Sequence, residues 1–301
     1  MGAIDDGRTV LDIGIMSLDA PAAARLLRVF GTPTSEAVML SHGIDLYREI
    51  CCALGTQATF PDYLAAARSS GSKIAEPLLA EWFDQLTTIP LNMQTLSRCD
   101  FLHFGSTRQL ITSGIELVTR DRGAPPPETT LAINNEVQSP GSIHGAHCWV
   151  EGCRIRAPLV LHHHNVIVGV AVNGPFELPE SGCLDVTSGL DRHGQSVHFM
   201  RYYGVDDTFK HSLAHGATFC GRPLIEWLKS TGLPDAEIWS ADTPENQRTL
   251  WNARVFPAEK EPGAFRQWLW MLDPGHASGE QKRRFAAADR YSSAEIALLA
   301  K

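Results

Sequence analysis

The sequence predicts an α/β plus β protein. Helices and buried strands fill residues 1–124, a parallel left-handed β-helix covers 125–215, and a mixed, largely helical segment closes the chain over 216–301. Three observations carry this reading. Between Gly141 and Lys210, short apolar bursts (Trp149-Val150, Ile155, Leu159-Val160-Leu161, Val166-Ile167-Val168) alternate with polar or Gly corners every five to seven residues. That spacing is too short for helices and too regular for loops. Single Gly, Pro or Asn corners, without a hairpin signal between every pair, favour stacked coils, and an antiparallel sandwich fragment is the competing arrangement. At the front, the buried-strand composition Thr9–Leu18 runs directly into a helix start, which is half of an α/β unit. Finally, Gly123-Ala124-Pro125-Pro126-Pro127 reads as a linker and sets the boundary between the first two segments.

Taken in order, Asp19 is a good N-cap for a helix over Ala22–Phe30, with Pro21 near its first turn, where a missing N–H costs little. The parallel neighbours that the Thr9–Leu18 strand needs do not lie upstream of it, so a preceding part of the sheet is expected to be missing. Leu46–Leu54, Pro61–Ser69 and Ile74–Leu86 read as helices. Cys99–Thr107 reads as a strand ending in a turn, and Ser106 or Thr107 can cap the helix that starts there, leaving backbone N–H groups aimed forward. After the β region come a short helix over Pro223–Ser230, a tryptophan-rich helix over Ala264–Leu272, and a last helix that Ser292 or Ser293 can cap.

Composition narrows the class. A chain of 301 residues with 44% apolar content can bury a substantial core in two or three compact units. A net charge of -8 gives no basic footprint for nucleic acid, so an anionic ligand would have to be held by local cations, a metal or backbone N–H groups. Seven scattered cysteines without CxxC spacing speak against zinc ribbons and thioredoxin chemistry and fit reduced thiols. With no bilayer-length apolar run and no signal peptide, the expectation is a cytoplasmic protein without membrane contact.

Each chemical motif has two readings. Asp12, before Gly14 at the end of a buried strand, either holds a sugar hydroxyl or metal or simply bonds nearby backbone. His103, flanked by Leu102 and Phe104, could meet a phosphate or be a satisfied core residue. The helix start at Gly105, Ser106 and Thr107 is the stronger anion site, because its donors do not depend on protonation. His162-His163-His164 is tempting as a metal cluster, but neighbouring strand side chains point to opposite faces. Solvent-facing or stacked histidines are preferred unless His144, His147 or His198 joins them. Asp206 and Asp207 could share a metal or serve as acid and base, though a capping turn is the commoner use. No Ser-His-Asp order, HExxH, P-loop or complete GxGxxG occurs.

The succession LDIGIMSL, IDLYREI, FLHFGSTRQLI, WVEGCRI, YYGVDDTFK, PLIEWL and TLWNARVFP, from about Thr9 to Leu272, resembles the fucose-1-phosphate guanylyltransferase family, the GDP-fucose pyrophosphorylases. These occur alone or as the first part of bifunctional fucokinase/GDP-fucose pyrophosphorylases. The resemblance implies a nucleotidyltransferase-type α/β domain, truncated here, followed by the β-helix. It implies a reaction of GTP with L-fucose 1-phosphate to GDP-fucose and pyrophosphate, a divalent metal with Mg expected, and a fucokinase domain or a missing N-terminal part as partner. Asp12 and Gly14 match the position where related enzymes hold the sugar, and Asp45 of the IDLYREI block joins them as a substrate-binding candidate. The run Phe101–Thr107, with His103, Gly105, Ser106 and Thr107, matches a segment that in mannose-1-phosphate guanylyltransferases carries a metal-binding aspartate. His103 stands in its place, so no metal ligand is carried over. The glycine-rich, Arg-containing nucleotide loop and its Lys should precede Asp12 and are not present. The resemblance therefore implies that this chain alone does not turn over, and it assigns no catalytic residue. Alternatives are a non-catalytic sugar-nucleotide-binding or assembly module accompanying a fucokinase, or a guanylyltransferase for another sugar 1-phosphate.

Overall fold

The computed structural model describes residues 15–55, 57–92, 94, 102, 104–122 and 129–300. The chain divides into two compact units, Met1–Phe101 and Leu102–Lys301. The proposed linker at 123–127, residues 9–14 of the predicted Thr9–Leu18 strand, and residues 99–101 and 103 of the predicted Cys99–Thr107 strand lie outside the described residues, and the described remainder of the latter is not strand.

In the first unit the described elements are all helical. Asp19 caps α1 (Ala20–Phe30) as predicted, accepting from the Ala22 N–H at 2.8 Å. Thr32 caps α2 (Pro33–His42), which the sequence reading missed because its apolar residues fall on no single face. Its one fully buried residue is polar, with Ser35 Oγ donating to the Val29 carbonyl at 2.9 Å and accepting from Trp82 Nε1 at 3.0 Å, while Val38 packs against the core partly buried. Leu46–Ile50 is a π-helical turn instead of the regular helix predicted over Leu46–Leu54. It is followed by a 3₁₀ turn over Cys51–Ala53. Helices α3 (Phe60–Ser69) and α4 (Glu76–Leu86) follow the predicted spans closely and pack Tyr63, Ala67, Leu79, Trp82, Phe83 and Leu86 into one core. The α/β expectation thus meets only helices among residues 15–92, and Ile15–Leu18, the described end of the predicted strand, is not strand.

The second unit opens with α5 (Thr107–Arg122) and then winds into a solenoid. Its first coil is β1 (Leu131–Ile133), β2 (Glu136–Val137) and β3 (Ser142–Ala146); its second is β4 (Trp149–Glu151), β5 (Arg154–Ile155) and β6 (Pro158–His163); its third is β7 (Val166–Val168), β8 (Ala171–Val172) and β9 (Phe176–Leu178). Equivalent strands pair in parallel to make three sheets, β1-β4-β7, β2-β5-β8 and β3-β6-β9. Leu131, Trp149, Val166 and Cys183 stack in register, so the coils repeat every 17 or 18 residues. Stacked coils are therefore observed over residues 131–178, where the sandwich alternative falls away, while residues 182–204 of the predicted segment form an antiparallel pair.

Two corners of each coil use left-handed backbone. Asn134, Gly152 and Gly169 (φ 54, 62 and 68°) stack at one, and His147, His164 and Ser181 (φ 52, 58 and 59°) at another. Non-glycine residues tolerate this region only at a cost, so the repetition at one position indicates a geometric demand of the corner. Inside, Val150, Ile167 and Leu184 form one ladder, Ile155 and Val172 a second, and Leu159 and Phe176 a third, all buried. Asn165 is the polar exception. It is fully buried, accepts from the His162 N–H at 2.9 Å, and donates to the Pro179 and Gly182 carbonyls at 2.6 and 2.7 Å.

The solenoid's third coil ends in a nine-residue antiparallel pair, β10 (Gly182–Leu190) and β11 (Ser196–Gly204). A small hairpin, β12 (Thr218–Phe219) and β13 (Arg222–Pro223), then leads into α6 (Leu224–Thr231) and α7 (Asp235–Ile238). Next come β14 (Phe256–Glu259), α8 (Gly279–Ala287), β15 (Arg290–Tyr291) and α9 (Ser293–Leu299). Strands β14 and β15 extend the first face to seven strands. The tryptophan-rich segment is a 3₁₀ run over Pro262–Leu272, not the predicted α-helix. It covers the last coil: Phe265 packs edge-on to Phe176 at 5.0 Å and its carbonyl accepts from Tyr202. One hydrophobic core therefore joins α5, the coils and the C-terminal segment.

Replacing Asn165 by Ala removes its hydrogen bonds to the His162 N–H and to the Pro179 and Gly182 carbonyls and should cost on the order of 2 kcal/mol in chemical denaturation. Asn165→Asp, nearly the same shape, should be at least as damaging, because it sets a carboxylate against two carbonyl oxygens.

Candidate functional site

The start of α5 is built by a reciprocal cap. Gln109 N–H reaches the Ser106 Oγ at 3.3 Å, while Gln109 Oε1 accepts from the Gly105 N–H at 2.9 Å. Of the two caps predicted, Ser106 is the one used. The helix lies close against the solenoid because of Gly114: a Cβ there would come within 2.7 Å of Leu131 and 2.9 Å of Trp149. Ile111, one turn earlier, is buried in the shared core.

This docking aims Arg108, in the first turn, at the end of β11. Its Nε and Nη2 donate to the two Asp206 carboxylate oxygens at 2.6 and 2.7 Å, a bidentate pair. The hydrogen bond from Arg108 holds the Asp206 carboxyl below the ordinary carboxylate range. Asp207 turns the other way. Its carboxylate accepts from the Gly204, Cys220 and Gly221 N–H groups at 2.6, 2.6 and 3.0 Å, which is the capping-turn use. The two adjacent acids therefore do separate work, one facing α5 and one holding the turn.

Beside Arg108 stands the His147–His164 corner. The rings of His147 and His164 lie 6.1 Å apart and nearly parallel at 16°, and His163 lies 6.0 and 6.2 Å from them. His147 thus joins from the neighbouring coil, and the stacked arrangement is the one found. Burial first, then the charges of Arg108, His147 and His163, lower the His164 pKa against an upward pull from Glu180. His162 faces away from this trio and pairs with Glu177 at 2.8 Å. Among the described residues no group of three or more His, Cys, Asp or Glu is arranged to hold a metal ion. Two open clefts of about 420 and 510 Å³ on the same unit share no residue with this corner.

The candidate residues separate. Gly105, Ser106 and Thr107 sit at the α5 start. Asp45 belongs to the other unit, where it caps the π-helical turn by accepting from the Tyr47 and Arg48 N–H groups, both at 2.9 Å. Asp12, Gly14 and His103 lie outside the described residues. Sequence reasoning missed Arg108 as a site residue. The signal available was that FGSTRQL holds one cation and YYGVDDT two acids, with no opposite charge inside either stretch, but a partner 98 residues away cannot be found by spacing.

Fold and site together define a parallel β-solenoid protein in which, at one corner of the coils, a helix start meets a histidine stack. The chain belongs to the fucose pyrophosphorylase domain family, whose model matches residues 1–261. It is 26% identical over 335 aligned positions to a bifunctional fucokinase/GDP-fucose pyrophosphorylase of Arabidopsis thaliana, covering 97% of this chain and 29% of that protein. It is 24% identical over 300 positions to an L-fucokinase/L-fucose-1-P guanylyltransferase of Bacteroides fragilis, covering 95% of this chain and 28% of that one. The chain thus spans less than a third of the length of these curated relatives. No solved structure matches it significantly. No helix among the described residues is long and apolar enough to cross a membrane.

The Arg108–Asp206 pair predicts a pH signature. Because the folded-state pKa of Asp206 is depressed, its contribution to stability is present above the unfolded carboxylate value and is lost as pH falls through the folded one. An NMR titration of the Asp206 carboxyl carbon should give a midpoint below the usual carboxylate range, and Arg108→Ala should return it to that range. Since both partners are partly exposed, the coupling in a double-mutant cycle should stay within about 1 kcal/mol.

Proposed function

We propose that the chain acts as a fucose-1-phosphate guanylyltransferase-type module, joining L-fucose 1-phosphate to GTP. In that reaction a sugar-phosphate oxygen forms a new bond to the α-phosphorus, the α–β bridging P–O bond breaks, and pyrophosphate leaves with the displaced electron pair. Such chemistry asks the protein mainly to position two anions and to offset their charge. The observation that carries the reading is the Arg108–Asp206 contact, which joins the FLHFGSTRQLI and YYGVDDTFK blocks across 98 residues and beside three histidines. Family membership over residues 1–261 and the printed activities of both relatives support it.

Under this reading Arg108 and the histidine corner meet phosphate oxygens. The divalent metal, Mg by expectation, is taken up with the nucleotide. A nucleotide-holding part and a fucokinase are the proposed partners, and the chain alone is proposed to bind substrate without turnover. L-fucose is the proposed sugar, with another sugar 1-phosphate as the competing substrate.

Calorimetry of the chain with fucose 1-phosphate, mannose 1-phosphate, GTP and GDP-fucose tests this. Fucose 1-phosphate should bind in preference to mannose 1-phosphate. Arg108→Ala should weaken it by about ten- to a hundredfold, the loss expected for charge-assisted bonds worth about 1.5–3 kcal/mol. Binding of GDP-fucose with no affinity for any sugar 1-phosphate would instead mark a sensing or assembly module.

A further inference from the structure

Arg108 spends only part of its guanidinium on Asp206. With Nε and Nη2 engaged there, Nη1 makes no hydrogen bond among the described residues. Next to it, His147 and His164 come from successive coils at the same left-handed corner position, and His163 completes the trio within about one ring's width. Coils that repeat in register force equivalent corner residues to stack, so these imidazoles are held together by the backbone and not by attraction for one another. Like groups so placed oppose each other's protonation, and they add to the burial and the Arg108 charge that lower the His164 pKa. The opposing carboxylates at this corner are Asp206, already bound to Arg108, and Glu180. His162, by contrast, has its own acid in Glu177.

Four basic groups here face only two carboxylates, and a dianion would offset the remaining mutual repulsion and satisfy the spare donors at once. We propose that the corner formed by His147, His163, His164 and Arg108 is a phosphate-binding site that takes a phosphomonoester or pyrophosphate dianion and becomes protonated as it binds. The anion site stands on this geometry alone, while identifying its ligand as a sugar 1-phosphate rests on the function proposed above.

The sign of the pH dependence follows. An anion raises the imidazole pKa values in the complex, so affinity is highest where the rings are protonated and is lost as pH rises through the values of the bound state. Sulfate is the suitable first probe, because its own charge does not change across this range. Histidine-detected NMR of the intact chain, at fixed ionic strength, should show sulfate moving the His147, His163 and His164 titrations upward while leaving those of His144, His162 and His276 in place. Sulfate affinity should tighten about tenfold from about pH 8 to about pH 6, the effect of raising one imidazole pKa by about one unit.

Asn is the substitution of choice at both corner positions because it tolerates the left-handed backbone. A His147→Asn/His164→Asn double variant, and separately Arg108→Gln, should keep the native spectrum and lose the effect. Uniform shifts of all histidines, unchanged sulfate binding in both variants, or a response of the trio to Zn²⁺ but not to sulfate would each overturn the site. If sulfate binds as expected but fucose 1-phosphate binds no more tightly than inorganic phosphate, the anion site stands and the sugar-phosphate reading fails.

Discussion

Each coil of the solenoid has to change direction at three corners within 17 or 18 residues while every strand stays paired to the coils on either side. A peptide chain built from L-residues cannot turn that sharply in the ordinary extended region, so two of the corners adopt left-handed backbone, and they do so at the same place in each coil. Gly152 and Gly169 meet the demand without strain, whereas His147, His164 and Ser181 meet it at some cost. The corner also exposes backbone groups to the dry interior, and Asn165 bridges the second coil to the turn that enters β10. Register, ladder packing and the placement of the outer side chains all follow from these corners.

The same constraint generates the site. A corner that repeats in register stacks whatever side chains it carries, so two histidines 17 residues apart in the chain become near-parallel neighbours. Helix α5 is held against the coils by the missing side chain of Gly114, and its first turn then delivers Arg108 to Asp206. The nine-residue β10–β11 pair carries Asp206 outward from the core, while Asp207 fixes the turn that follows by taking three backbone N–H groups. The C-terminal strands and the tryptophan-rich run close the last coil, which would otherwise present an open apolar end to water.

Much of this was legible one segment at a time. The corner spacing of Trp149–Val168 gave stacked coils, and Asp19, Ser106 and Ser292 announced helix starts that are found capped by those residues. What local patterns left out has a physical cause in each case. Helix α2 has no apolar stripe because its buried residue is Ser35, whose place is set by Trp82, 47 positions later. The run over Pro262–Leu272 has a helix-like composition but is drawn into a tighter 3₁₀ path as it packs over the last coil and lends carbonyls to Tyr202 and Trp227. Of the two uses open to Asp206-Asp207, the capping turn is the one Asp207 takes, because neighbouring side chains leaving a strand end point apart and find different partners.

By itself, then, the sequence determined that the middle of the chain coils, where several of its helices begin, and which blocks ally it with the fucose pyrophosphorylase domain, because periodicity, capping and motif order are local properties written in neighbouring residues. Only the tertiary structure decided that Arg108 meets Asp206, that His147 stands over His164, and that the C-terminal strands complete the solenoid's first face. Those contacts depend on the exact length of each coil and on one glycine that lets a helix approach. They arise from how the turns stack in three dimensions, a sum over the whole chain that no single stretch contains.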